Sequence, residues 1–333
     1  MRDRLVPPAW RKAEAVLWFP VLFAVALPLA FLVAFRQPRP HDVTVAVVGN
    51  EQAEASLRAD LRADDVGGLS VRGFPTTASA TAAVRDRRVD AAYEPGRPTS
   101  TLYVARADSL TRASYLQRVF GRLATEQGEA PPAVVDLVPP APGDGGTGMF
   151  FFAFPMMMAG LITAIALLQA PTWTIAQRVV SVAGVGAVAT VSTYLAAVLL
   201  DIVPNKPLLL LPQFVLSQVY GQLLAAAALI VKRYFLPVAM TFGMILSVPS
   251  SGGVVTRDML PAGFRFLNGT LPLAQGIKVN RSVAYFDNAD LTRPVVVLLL
   301  WVAIAAGTVA VAAAQQRKTL GEASRPAVLE SAA

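Results

Sequence analysis

Cysteine is absent from this chain and histidine occurs once, at His41. No disulfide framework, thiolate metal site or cysteine nucleophile can be built, and a histidine metal cluster is excluded. The sequence also lacks G-x-x-x-x-G-K-[ST], so the chain cannot bind ATP through a P-loop of its own. Charge is scarce as well. Of 333 residues, 15% are charged against 54% hydrophobic, with a mean hydropathy of +0.51. Such a chain is too apolar and too unevenly patterned for an ordinary soluble domain, and it reads as an integral membrane protein. The net charge of +7 does not point to nucleic acid, because the basic residues flank apolar runs rather than forming a soluble patch.

Crossing about 30 Å of hydrocarbon takes roughly 20 apolar residues. Six runs approach that length: Ala15–Phe35, Met149–Leu168, Val179–Leu200, Leu208–Val231, Tyr234–Val248 and Pro294–Ala314. The first is expected to be a retained anchor, since its apolar stretch outruns a usual signal core and no small-x-small site follows it. The fifth has only fifteen residues before Pro249. At 1.5 Å per residue that covers about 22 Å, short of the bilayer core.

The expected fold is a polytopic α-helical membrane protein with six transmembrane helices and an extracytoplasmic α/β domain between the first two. Residues 1–40 form the N-terminus and first span, 41–147 the outer domain, 148–314 five further spans, and 315–333 a cytoplasmic tail. Arg2, Arg4, Arg11, Lys12, Arg178, Lys232, Arg233, Arg317 and Lys318 fall on one side if six spans alternate. Basic flanks favour the inside, so both termini are expected in the cytoplasm of a cell-membrane protein. Arg257, Arg265, Lys278, Arg281 and Arg293 then lie outside, against that trend.

Residues 41–147 differ in kind: they are punctuated and carry 11 arginines against 14 acidic residues. VTVAVVG, LSVRGF, VDAAYEP, TLYVARA and AVVDLV read as strands, with helical patterns between them. That alternation predicts a small α/β domain. The stretch PPAVVDLVPPAPGDGGTG, 131–148, leads out of it as a proline- and glycine-rich linker.

The segment 249–293 is full of helix breakers: Pro249, Gly252, Gly253, Pro261, Gly263, Gly269 and Pro272 forbid one continuous helix. Non-helical backbone at membrane depth needs protein or a watery cavity around it, so a re-entrant or interfacial structure is expected.

VDAAYEP, VDLVPPAPGDGGTG and PSSGGVVTRDMLPAGFRFLNGTLPLAQGIKVNRSVAYFDN together resemble the ABC-2-type permeases, most closely their YhgE/Pip-like (phage-infection-protein) and related actinobacterial branch. In the last stretch Ser251, Gly252, Gly253, Leu260, Pro261, Phe264, Leu271, Pro272, Arg281, Tyr285 and Phe286 fill the family's places, with Ala262 inserted after Pro261. The resemblance implies two short helices capping the outer end of a dimer's transport route, as a gate or as a plain structural plug. It also implies a homo- or heterodimer in the lipid bilayer and a separate cytoplasmic ATPase subunit that holds the ATP. No cofactor is expected in this chain, and no enzymatic activity, because no catalytic constellation can be assembled from the spans.

Polar residues on the spans are candidate path or packing groups. Gln213, Ser217 and Tyr220 share one face of the fourth span, while Gln218 and Gln222 lie roughly opposite. They either hydrogen-bond between helices or line a substrate path. No span carries a central charge, which counts against proton coupling. Thr172, Trp173, Gln177 and Arg178 sit in the short loop after the second span, where an ATPase would have to grip. Two functions stand open. One is an exporter subunit for a hydrophobic or amphipathic compound. The other is a non-transporting envelope protein whose outer domain binds cell wall, protein or phage.

Overall fold

The computed structural model describes residues 8–36, 39–64, 66–96 and 99–323. Arg2, Arg4 and the end of the tail lie outside the described residues. Five helices are long and apolar enough to cross a membrane: Leu17–Phe35, Gly148–Gln169, Ile175–Leu199, Pro207–Ser247 and Thr292–Lys318. They belong to α1 (Pro8–Phe35), α5 (Gly148–Ala166), α6 (Ile175–Leu199), α7 (Leu210–Val231) and α11 (Thr292–Ala323). The chain is thus a membrane protein carrying a small α/β sheet between α1 and α5.

The candidate span Pro207–Ser247 is not straight. Lys232 takes φ +50°, which breaks the helix. Tyr220 Oη donates to Ser247 Oγ at 2.9 Å across 27 residues of sequence. A straight helix would hold them about 40 Å apart. The chain therefore turns at Lys232 and comes back along α7 as α8 (Phe235–Met240) followed by a π-helical stretch, Thr241–Ser247. Ser247 Oγ in turn donates to the Phe242 carbonyl, five residues back, in keeping with the wider π turn. This returning leg stands where the sequence predicts a fifth span.

Glycines set how closely the long helices approach. A Cβ on Gly160 of α5 would lie 2.6 Å from the Gly221 nitrogen of α7, and one on Gly186 of α6 would meet Gln218 Nε2 at 2.3 Å. Around these contacts Phe152, Met156, Met157, Leu216 and Tyr220 fill the bundle core. Met156–Met158, an apolar run in sequence, is thus packing material. Leu167–Gln169 ends α5 as a 3-10 turn, and Thr174 with Gln177 forms a capping box that starts α6.

Among the described residues the α/β domain has five strands: β1 (Val43–Val48), β2 (Leu69–Phe74), β3 (Ala91–Glu94), β4 (Thr101–Val104) and β5 (Ala133–Asp136). Their order is β2-β1-β3-β4-β5, antiparallel only between β3 and β4. Three helices cover it: α2 (Glu51–Ala63), α3 (Thr77–Arg85) and α4 (Leu110–Glu126). One face packs Val43, Val45, Val47, Leu102, Leu116 and Phe120. The other is lined by small residues, Ala46, Ala80, Ala83, Ala92 and Ala105, and is filled by Phe286, which arrives from far along the chain. Burying that ring contributes about 2–3 kcal/mol and seats the domain on the bundle. The expected linker is largely ordered: its start is β5, and Asp144 accepts from the Gly146 and Gly148 nitrogens at 2.8 and 2.7 Å, which caps the start of α5.

Contacts fix the two ends of the bundle. Gly143 donates to the Asp201 carbonyl and Lys206 to the Val283 carbonyl, so the α6–α7 loop shares the end of the α/β domain. Gln316 bonds Ile175 and Trp173 at the other end, where Arg178 and the Lys232 turn also lie.

Candidate functional site

The helix-breaking segment begins at Pro249 and folds back into the molecule. Gly252 has φ +73°, open to glycine and strained for other residues, and a Cβ there would meet Asn268 Nδ2 at 2.6 Å. Gly253 lies against Phe150, where an added Cβ would come within 2.5 Å of the Phe150 Cβ. Ser251 Oγ accepts from the Gly253 nitrogen, and Asn268 donates to the Ser250 carbonyl. A 3-10 turn, Arg257–Met259, then leads to α9 (Ala262–Thr270) and α10 (Pro272–Tyr285). Pro261 caps α9, with Ala262 as its first residue, and Leu271 holds the extended joint before Pro272 opens α10. Leu260 is buried, and Phe264 packs beside Ala34, Val255 and Met259. Tyr285 Oη accepts from the Ala141 nitrogen.

The α/β domain is fastened to this segment by buried ions. Arg112 of α4 pairs with Asp90 at 2.7 Å, with Asp108, and with Asp258 of the 3-10 turn at 3.4 Å. Arg87 pairs with Asp108 at 2.8 Å, donates to Ser282 Oγ at 2.7 Å and lies 5.0 Å over the Phe286 ring. Ser109 Oγ, which caps α4, lies 3.1 Å from Thr256 Oγ1, and the His41 nitrogen donates to the Asp258 carbonyl at 2.7 Å. Burial raises the Asp90 carboxyl and Arg112 offsets it only in part. Burial pushes Asp108 the same way, but Arg87, Arg112 and Arg281 outweigh it and hold that carboxyl well below the carboxylate range. The difference follows from position, since Asp108 sits between two guanidiniums and Asp90 touches one.

Between the domain and the segment lies a cavity of about 620 Å³, lined by Asp90, Asp108, Arg112, Ser251, Gly252, Arg257, Lys278, Arg281 and Arg293 among others. Arg281 is buried, and burial lowers its hold on its proton; one of its nitrogens reaches the Gly252 carbonyl at 3.5 Å. Burial, then Arg257, Arg293 and Arg87, push the Lys278 ammonium down to about 7, against the nearby Asp290. A second hollow of about 450 Å³ lies between α2 and α4, by the carboxyl ends of β1 and β3. That is where an open α/β sheet with this strand order places its crevice. Its walls mix apolar residues, Leu57, Tyr93 and Phe120, with polar and acidic ones, Ser56, Gln127, Asp60 and Glu129.

Of the residues singled out by sequence, Ser251, Gly252, Arg281 and Phe286 line the larger cavity. Leu260, Pro261, Phe264, Leu271, Pro272 and Gly253 shape the segment around it. The polar residues of α7 are spent on neighbours. Gln213 donates to the Phe152 carbonyl and accepts from Asn280, Ser217 bonds Phe214, and Gln218 and Gln222 donate to the Val182 and Val179 carbonyls. Ser217 bonds back within α7, whereas the others, with Tyr220 on Ser247, are hydrogen bonds to neighbouring elements. Of the expected loop residues, Thr172 and Trp173 are exposed in the turn, whereas Gln177 and Arg178 lie in the first turn of α6: Gln177 completes its cap, and Arg178 donates to the carbonyls of Leu167, Ala170 and Trp173.

Sequence reading missed the charges that the α/β domain brings to the cavity. None of them carries a local signal; the structure shows Arg87 just past the end of α3 at φ +59°, a position glycine usually takes. An arginine there bears a strain of roughly 1–2 kcal/mol for the sake of its side chain. Among the described residues no group of three or more His, Cys, Asp or Glu could hold a metal ion. Comparison with family models, curated proteins and solved structures finds no match to this chain.

Proposed function

We propose that the chain is the membrane subunit of an ABC-2-like exporter, moving a hydrophobic or amphipathic compound outward with the help of a separate ATPase. In this reading α1, α5, α6, α7, the returning leg and α11 make six passes. Both termini are cytoplasmic, and residues 41–147 with segment 249–293 lie outside. The orientation is supported by Arg178, Lys232 and Arg233, which gather at the end away from the α/β domain. One observation carries the reading: the segment before α11 folds as two short helices held between bundle and outer domain, and together they wall a cavity of about 620 Å³. A hollow of that size suits a drug-sized compound.

A second reading, a non-transporting envelope protein whose outer domain binds cell wall, protein or phage, is favoured by a different observation. The α5–α6 connection is a tight turn, Ala170–Thr174, pinned by Arg178, with no helix for an ATPase to push. Purification of the tagged protein in mild detergent from the cell that makes it separates the two. The exporter reading expects a stoichiometric ATPase subunit and measurable ATP hydrolysis. Recovery of the chain alone, or with envelope proteins only, would contradict it and favour the second.

A further inference from the structure

We infer that the cavity beneath the α/β domain holds the phosphate or phosphodiester headgroup of an amphipathic compound. This rests on the reading of the cavity as the place where the compound is handled, and it names that compound's chemistry.

The charges on the cavity wall do not cancel. Arg87 and Arg112 are matched by Asp90, Asp108 and Asp258, and Arg265 stands 3.7 Å from Asp42. Four cations, Arg257, Lys278, Arg281 and Arg293, make no ion pair among the described residues, although Asp108 acts on Arg281 and Asp290 on Lys278; seven cationic side chains on the wall face five carboxylates, a surplus of two positive charges. A second observation is independent of charge. Arg281 is 7% exposed, yet its Nε has no hydrogen-bond acceptor, and buried donors are rarely left so. Among the described residues Lys278 donates only to the Asn268 carbonyl, at 3.3 Å, and it loses much of its basicity to burial and to its cationic neighbours. An anion among these groups satisfies the donors and restores the lysine's charge.

The number and shape of the donors select the anion. Guanidinium forks match the several oxygens of a phosphate, and four cationic side chains exceed what one carboxylate can use. The apolar part of the ligand has a place too. Phe266 of α9, 70% exposed, and Pro294 at the start of the membrane-length helix α11 line the same cavity.

The test uses the full-length protein in neutral detergent, titrated with phosphatidylglycerol and with phosphatidylcholine and followed by native mass spectrometry. Arg257 and Arg293 are exposed, so Arg257→Gln with Arg293→Gln leaves the fold intact; Lys278→Met is the second variant. Phosphatidylglycerol should bind about tenfold more tightly than phosphatidylcholine, and both variants should lose most of that preference. Failure of inorganic phosphate and glycerol phosphate to displace the lipid supports a lipid-borne headgroup, whereas displacement at millimolar concentration supports a free phosphate compound on the same groups. Equal binding of the two lipids with no phosphate effect overturns the inference, and so does a preference that survives in both variants. The ATPase co-purification is independent of either result, so failure of headgroup binding and failure of the exporter reading can be told apart.

Discussion

At the scale of single residues, two glycines and one lysine make the sharpest statements. Gly252 sits at φ +73° against Asn268, and Gly253 presses on Phe150. Gly252→Val with Gly253→Val should therefore leave membrane insertion unchanged while it abolishes activity in an efflux or infection assay. Full activity in the double variant would show that this turn need not have its shape. Lys278 gives a pH dependence. Its folded value is depressed to about 7, so between there and the ordinary lysine range the unfolded chain binds more protons. Stability should rise as pH increases from about 7 to 10, as the burial penalty on the ammonium is lifted. The groups facing it are Arg257, Arg293, Arg87 and Asp290. Melting temperatures of wild type and Lys278→Met across that range, taken as a difference, should carry the slope; parallel curves would refute it. Arg112→Ala strips the partner from half-buried Asp90 and leaves Asp108 to Arg87 and the more distant Arg281, a loss of about 3 kcal/mol that thermal unfolding would report.

At the scale of elements, the turn between α5 and α6 is the place where the exporter reading and the local structure pull apart. Arg178 is 4% exposed and closes the carbonyl end of α5. Arg178→Ala should lower stability by about 2 kcal/mol, a fall of some 2–4 °C in melting temperature. An unchanged melting point would return Arg178 to the role of a free contact for a partner.

The elements themselves were largely legible from sequence. Val43–Val48 alternates and the long apolar runs declare themselves, whereas the capping box of Thr174 and Gln177, which starts α6 four residues before the expected span, went unread. The π-helical leg Thr241–Ser247 was not legible, because a five-residue hydrogen-bond spacing leaves no mark on a short apolar run. The cavity was half legible. Arg281 and Gly252 stood out within the glycine- and proline-rich segment, whereas Asp90, Asp108 and Arg112 read as ordinary solvated charges. Their meaning lies in pairings such as Arg112 with Asp258, 146 residues apart, and Arg87 with Ser282, 195 apart, which no local pattern encodes.

At the scale of the whole molecule, the account depends on the α/β domain resting on the outer segment as one body. Phe286 plugs the alanine-lined face of the sheet, the Arg87 and Arg112 clusters cross the boundary, and the cavity exists only between the two parts. The chain has no native cysteine, so a bridge can be introduced without background. Ser109 and Thr256 are both buried and their hydroxyl oxygens are 3.1 Å apart. The most direct measurement is oxidative cross-linking of the Ser109→Cys, Thr256→Cys protein in its membrane, with each single variant as control. The account predicts near-complete bridging in the double variant and slow labelling of either single thiol by a water-soluble maleimide. Rapid labelling of both thiols with no bridged species would mean that the domain does not sit on the outer segment, and the cavity built between them would fall with it.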